Sequence, residues 1–143
     1  EITKLIDEPF AYQYLPSYRV QIPNDQAVHK WHFDSDQDHK HPDGEINFCI
    51  AITKMKDTTA IWSESEPGKK DFFPMEINYG QFFNFNGNKC THGNKTNMSN
   101  DVRISLDFRI LPKSKYVDGY SKESVTNKKK FLIGEYYRAS NNF

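Results

Sequence analysis

The chain has 143 residues, with acidic and basic side chains balanced at 19 each and a formal net charge of zero. That length is one domain, residues 1–143, and neutrality removes the electrostatic reason to expect nucleic acid or an anionic membrane surface as partner. No apolar run approaches the roughly 20 residues of a membrane span, and no charged segment followed by an apolar one marks a secretion leader.

Cys49 and Cys90 are too few for a disulfide framework. They read as ordinary buried thiols in a reducing, cytoplasmic setting. The sequons at Asn94 and Asn97 are then coincidental. Eleven Phe and eight Tyr in an otherwise polar chain suit a β-rich domain, because flat rings pack well on pleated surfaces. Glu1 stands where a Met would open a complete chain, which is what processing or a partial gene leaves when upstream residues are missing.

Pro9, Pro16 and Pro23 recur every seven residues and forbid a long helix at the start. Tyr18 to Ile22 alternates as a strand, leading towards Ala27 to His32. Asp34 to Gly44 is dense in Asp, His, Lys, Pro and Gly and reads as a loop. Glu45 to Thr53 is a β-branched and aromatic run bounded by turn residues, hence a buried strand. Thr59 to Ser63 follows as a strand, Glu66 to Lys70 as a turn, and Met75 to Tyr79 and Gln81 to Phe85 as two short strands around Gly80. Asn94 to Asp101 is a polar loop.

Val102 to Leu111 is the clearest strand. Arg103, Ser105, Asp107 and Arg109 share one face, and Ile104, Leu106, Phe108 and Ile110 share the other. The polar row faces either a polar cavity or solvent, since unpaired buried charges are costly. Lys128 to Lys130 reads as a solvated turn, and Phe131 to Tyr137 as a last helix or strand. Short strands with a turn signal every 8–12 residues indicate an all-β fold with few helices, a β-sandwich or a double-sheet barrel of jelly-roll type.

The chemistry is carried by three sites along this pattern. In His32-Phe33-Asp34, residues i and i+2 of an extended segment project to one side and can reach one ion. His92 supplies a distal imidazole. Two imidazoles and a carboxylate on one face of an octahedral ion suit iron(II) and leave three positions open, enough for a chelating 2-oxo acid and dioxygen. After His92, ten residues intervene before Arg103-Ile104-Ser105. A guanidinium fork can hold the distal carboxylate of 2-oxoglutarate in bidentate fashion, with the hydroxyl adding a hydrogen bond.

His32-x-Asp34, His92 and Arg103-x-Ser105 together resemble the signature of the 2-oxoglutarate/Fe(II)-dependent dioxygenase superfamily. Trp31 to Asp36, Gly44 to Phe48, Phe85-Asn86-Gly87 and His92-Gly93-Asn94 are similar to its small bacterial members of the streptomycin-biosynthesis type, related to phytanoyl-CoA hydroxylases. The resemblance covers about residues 28–112. It implies a cupin-like double-stranded β-helix, iron(II) at the catalytic residues His32, Asp34 and His92, and 2-oxoglutarate as co-substrate at Arg103. It further implies dioxygen-dependent hydroxylation or a related oxidation, with release of succinate and carbon dioxide, while the polar loop and neutral charge point to a small polar substrate.

Neighbouring residues compete for these roles. His29, His39, His41, Asp36, Asp38 and Asp43 all lie near the His-x-Asp pair, with His39 and His41 expected to be solvated and His39 a further candidate to contact substrate. Asn47 is expected to hydrogen-bond 2-oxoglutarate or to satisfy a polar core. Trp62, Glu64 and Glu66 are candidates for the substrate end. Arg109 rivals Arg103 as the carboxylate anchor from the same strand face, about 20 Å further on at ~3.3 Å per residue; the spacing from His92 favours Arg103 and leaves Arg109 to pair with Asp107 or another acid. Two other function classes fit a barrel of this kind. A cupin-like metal-dependent isomerase or epimerase is expected to carry histidine-rich ligands without the Arg-x-Ser, and a non-catalytic jelly-roll binding domain to take no metal.

Overall fold

The computed structural model describes residues 2–25, 30–125 and 128–143. The expected continuation of the first strand through Ala27, and the rival ligand His29, lie outside the described residues.

One strand organises the rest. β8 (Arg103–Pro112) pairs with β3 (Ile46–Ala51) on one side, and on its other side with β2 (Ser17–Gln21) along its first half and β1 (Phe10–Gln13) at its end. All these pairings are antiparallel. β1 and β2 thus read as one edge interrupted at residues 14–16, where Pro16 can give no ladder hydrogen bond. β6 (Phe82–Phe85) extends the sheet beyond β3, and β9 (Tyr137–Ala139) extends it beyond β1. A second sheet holds β5 (Phe73–Met75), β4 (Ile61–Ser63) and β7 (His92–Asn94) in the order β5-β4-β7. This is the expected all-β double-stranded β-helix. Among the described residues the only α-helix is a single turn, Ile2–Leu5, and no helix is long and apolar enough to cross a membrane.

Register decides which face of β8 is inside. Asn47 lies opposite Arg109, Cys49 opposite Asp107, Arg19 opposite Ser105 and Gln21 opposite Arg103. All of these but Ser105, which is itself fully buried, line a cavity that also receives His32 and His92. The polar row of β8 is therefore the interior one. By alternation Ile104, Leu106 and Phe108 lie on the opposite face of the strand and stay half-buried, with Phe108 stacked on Phe48 at 5.3 Å between ring centroids.

Two apolar clusters hold this frame. Cys49, Ala51, Met55 and Ile61 join β3 to β4 and so tie the sheets together. Ala11, Leu111, Phe131 and Tyr137 close the far end of β8 beneath the C-terminal segment. Both cysteines are buried free thiols.

Three local expectations change. The segment between Pro9 and Pro16 carries a strand, β1, too short for its alternation to stand out. The expected strand from Met75 to Tyr79 is displaced: β5 ends at Met75, and Ile77 makes only an isolated bridge to Met55. Pro74 is tolerated there because β5 is an edge strand. At the C-terminus the ladder starts only at Tyr137, because Gly134 at φ +94° turns the chain and lets Phe131 and Tyr136 pack inwards as loop residues.

Phe131 is 1% exposed and packs against the rings of His41, Tyr120 and Tyr136. Phe131→Ala should lower stability by about 3–5 kcal/mol, read as a fall in the urea midpoint with an unchanged slope.

Candidate metal centre

His92 enters the site on β7, where the chain of His32 runs alongside it. The two residues exchange backbone hydrogen bonds, His32 N–H to the His92 carbonyl at 3.1 Å and His92 N–H to the His32 carbonyl at 2.8 Å. That antiparallel bridge sets the two imidazoles side by side, with centroids 4.6 Å apart. Each ring lies with its Nδ1 on a carbonyl two residues upstream, His32 on Lys30 at 2.8 Å and His92 on Cys90 at 3.1 Å. A carbonyl only accepts, so both neutral rings carry their proton on Nδ1 and their lone pair on Nε2.

Both Nε2 atoms face Asp34. Its Oδ1 is 3.5 Å from His32 Nε2 and 3.8 Å from His92 Nε2. The segment is strapped down by the Asp34 N–H on the Gly87 carbonyl at 2.9 Å and by Ser35 on the Asn88 carbonyl. Asp34 is fully buried, yet Oδ1 has no hydrogen-bond partner among the described residues. A buried carboxylate oxygen left bare is costly. Two imidazole nitrogens and that oxygen, all within 4.8 Å of one another, are a donor set that could hold a divalent metal, and the bare oxygen is what such an ion would satisfy.

The other oxygen, Oδ2, is fully engaged. It accepts from Arg109 Nε at 2.6 Å and from Asn47 Nδ2 at 2.6 Å. Burial alone would raise the Asp34 carboxyl, but Arg109 and His32 outweigh it and hold the group well below the ordinary carboxylate range. Burial likewise depresses His92, only partly offset by Asp34, which keeps that ring neutral. At His32 burial is outweighed by Asp34 and the Lys30 carbonyl, and the net shift is upwards.

Arg109 therefore pairs with Asp34 rather than Asp107. Its Nη1 reaches Gln13 Oε1 at 3.3 Å and the Tyr136 hydroxyl at 3.4 Å. Behind it, Glu45 accepts from His41 Nδ1 at 2.6 Å and from the Tyr137 hydroxyl. His41 is only 7% exposed, which corrects the expectation that it is solvated. Its loop folds back under Phe131, and Glu45 at the mouth of β3 gives it a partner. Asp34, His41 and Glu45 also lie within ligand distance of one another, but the guanidinium 4.0 Å from Glu45 makes this a hydrogen-bond network.

Arg103 presents the opposite case. It is buried in the same cavity as the two imidazoles, and its Nε and Nη1 have no partner among the described residues. Burial lowers its pKa, and Asp107 only partly restores it. Ser105 Oγ lies 3.3 Å from Asp107 Oδ1, and Arg19 Nε donates to Asp107 Oδ2 at 3.1 Å.

The remaining candidates sit outside the cavity. His39 stacks on His32 at 4.2 Å and has its Nδ1 on Asp36 Oδ1 at 2.8 Å. Glu64 accepts the N–H groups of Gly68, Lys70 and Thr91 and so fixes a turn. Trp62 lies under Lys95, and Glu66 faces Lys69 on an exposed turn. Gln13, Glu45, Tyr136 and Tyr137 had no signal in the sequence, because only cross-strand register brings them behind Asp34.

The comparisons bear on this geometry. No family model matches the chain. Over 125 residues it is 32% identical to the streptomycin biosynthesis protein StrG of Streptomyces griseus, covering 87% of this chain and 58% of StrG. The chain is a relative of StrG. In structure it is similar to SnoK, a non-haem alpha-ketoglutarate-dependent carbocyclase from nogalamycin biosynthesis, with a TM-score of 0.61 at 15% identity over 96% of this chain and 64% of SnoK. It is also similar to CytC3 solved with Fe(II) and alpha-ketoglutarate, with a TM-score of 0.56 at 18% identity over 85% of this chain and 52% of CytC3. The fold is that of these two proteins. The chain spans less than two thirds of the length of each of the three.

Two outcomes test the site's electrostatics and packing. Because the Asp34 carboxyl titrates lower folded than unfolded, its contribution to stability is complete above about pH 4 and is lost as pH falls through the folded value. In metal-free protein, Asp34→Asn should cost about 3–5 kcal/mol at pH 7 by stranding Arg109, and should show a shallower loss than wild type below pH 4 in urea midpoints. A Cβ at Gly87 would meet the Asn47 side chain at 2.7 Å, so Gly87→Ala should destabilise by about 1–3 kcal/mol, measured by thermal unfolding.

Proposed function

We propose that this chain carries the core of a non-haem iron(II), 2-oxoglutarate-dependent oxygenase acting on a small polar molecule. The reading rests on one observation. The bare Oδ1 of Asp34 lies between two imidazole Nε2 atoms, and the same cavity holds an Arg103 guanidinium with two buried N–H groups unspent. Those are the two binding requirements of a metal and a dicarboxylic co-substrate.

In this reading His32, Asp34 and His92 hold the iron. Arg103 takes the distal carboxylate of 2-oxoglutarate, where charge-assisted bonds from a buried guanidinium are strong. Ser105 backs it through Asp107, and Arg19 closes the same pocket wall from β2. Iron(II) with a bound 2-oxo acid supplies dioxygen-driven decarboxylation to succinate and carbon dioxide, coupled to oxidation of a substrate C–H bond. The chain's own part is orientation. Backbone carbonyls aim both imidazoles, Asn47 and Arg109 aim the carboxylate, and the two sheets keep water off the co-substrate.

The name of StrG, together with the polar Asp34-to-Gly44 loop beside the candidate ligands, supports a small hydrophilic substrate. An isomerase of the cupin type needs no dicarboxylate anchor and leaves Arg103 buried without purpose.

Anaerobic addition of iron(II) and 2-oxoglutarate should produce a weak visible charge-transfer band in folded wild-type protein, and absence of the band overturns the assignment. Arg103→Ala should weaken 2-oxoglutarate binding about 10–100-fold, the equivalent of one or two charge-assisted bonds, while iron(II) affinity stays within about twofold. Equal 2-oxoglutarate affinity in the variant removes Arg103 from the role.

A further inference from the structure

The geometry points to Asn47 and Arg109 as a two-donor clamp that restricts Asp34 to coordination through Oδ1 alone, keeping a metal position open that a second carboxylate oxygen would occupy. This rests on the metal reading given above and adds a role for two residues that touch neither ion nor co-substrate.

A carboxylate oxygen offers two lone pairs in the plane of the group. On Oδ2 two short hydrogen bonds, each 2.6 Å, come from Arg109 Nε and Asn47 Nδ2. Both lone pairs are therefore spent, and Oδ2 has none left for a cation. Oδ1 is the reverse: buried, bare of hydrogen bonds among the described residues, and turned to the two Nε2 atoms. The same carboxyl thus has one oxygen reserved for protein donors and one for an ion.

The donors are themselves locked. Asn47 and Arg109 are directly paired residues on β3 and β8, so one piece of ladder sets their spacing. Arg109 is held from behind by Gln13 and Tyr136, and Tyr136 donates to Gln13 at 2.8 Å. On the other side Gly87 lets the turn before Asn88 close over Asn47, since any Cβ there collides with it. Rotation of the Asp34 carboxylate, which would bring Oδ2 towards an ion, breaks two charge-assisted bonds to a fully buried group. With two imidazoles and one oxygen bound, an octahedral ion retains three positions; with two oxygens it retains two, one too few for a chelating oxo acid and a further ligand.

Cobalt(II) alone is the probe. It is titrated into wild type, Asn47→Ala, Arg109→Gln and Arg109→Lys, each checked for folding by circular dichroism and urea unfolding. The expected result is a Kd for cobalt(II) about 10–100-fold weaker in Asn47→Ala and Arg109→Gln, with a changed intensity of the visible d–d band as Oδ2 joins the ion. Arg109→Lys should restore part of both. Asn47→Ala leaves the Asp34–Arg109 ion pair intact and carries the test should Arg109→Gln fail to fold. Wild-type affinity and band in Asn47→Ala overturn the clamp and leave the metal centre standing. Weakened affinity with an unchanged band also overturns it, because loss of charge compensation alone gives that result. A wild-type chain that takes up no cobalt(II) overturns the metal centre and the clamp together.

Discussion

Asp34 and Arg109 form an ion pair in the middle of the barrel, and most of the interior is arranged around it. An isolated carboxylate at full burial would neutralise itself by taking a proton. Here the guanidinium from β8 holds it ionised, and Gln13, Tyr136 and Glu45 in turn satisfy the guanidinium or balance its charge. Such pairs are seldom the most stabilising way to fill a core, because desolvation offsets much of the attraction. What this one maintains is a permanent negative charge at a position sheltered from water. The apolar clusters stand on either flank and let the polar middle exist.

The chemistry-bearing residues were more legible in the sequence than the scaffold that orients them. His32-x-Asp34 needs only an extended backbone to put both side chains on one side, and the alternation of β8 is strict enough to read directly. The same alternation does not say which face is inward. With Arg103, Ser105, Asp107 and Arg109 on one side and four apolar residues on the other, ordinary expectation turns the charges outwards. Only pairing with Asn47, Cys49, Arg19 and Gln21 reveals the reverse.

His41 and Arg109 fail to declare themselves for a related reason. A histidine in a loop of Asp, Lys and Pro looks solvated by composition, but its burial depends on Phe131 and Tyr136, about 90 residues away in the chain. Arg109 sits two residues from Asp107 on the same strand face, so local proximity suggests that pair. The true partner arrives from residue 34 through a turn. Short elements such as β1 and β9, three or four residues long, carry too few positions for a period to emerge and are defined by the strands they meet.

The tautomers of His32 and His92 are dictated by peptide carbonyls of Lys30 and Cys90, two residues before each ring. That wiring belongs to the main chain. Drift in surrounding side chains changes what lies around the two nitrogens, yet the direction in which they point is written into the path of the polypeptide itself and is inherited by any sequence that keeps the bridge between these two residues.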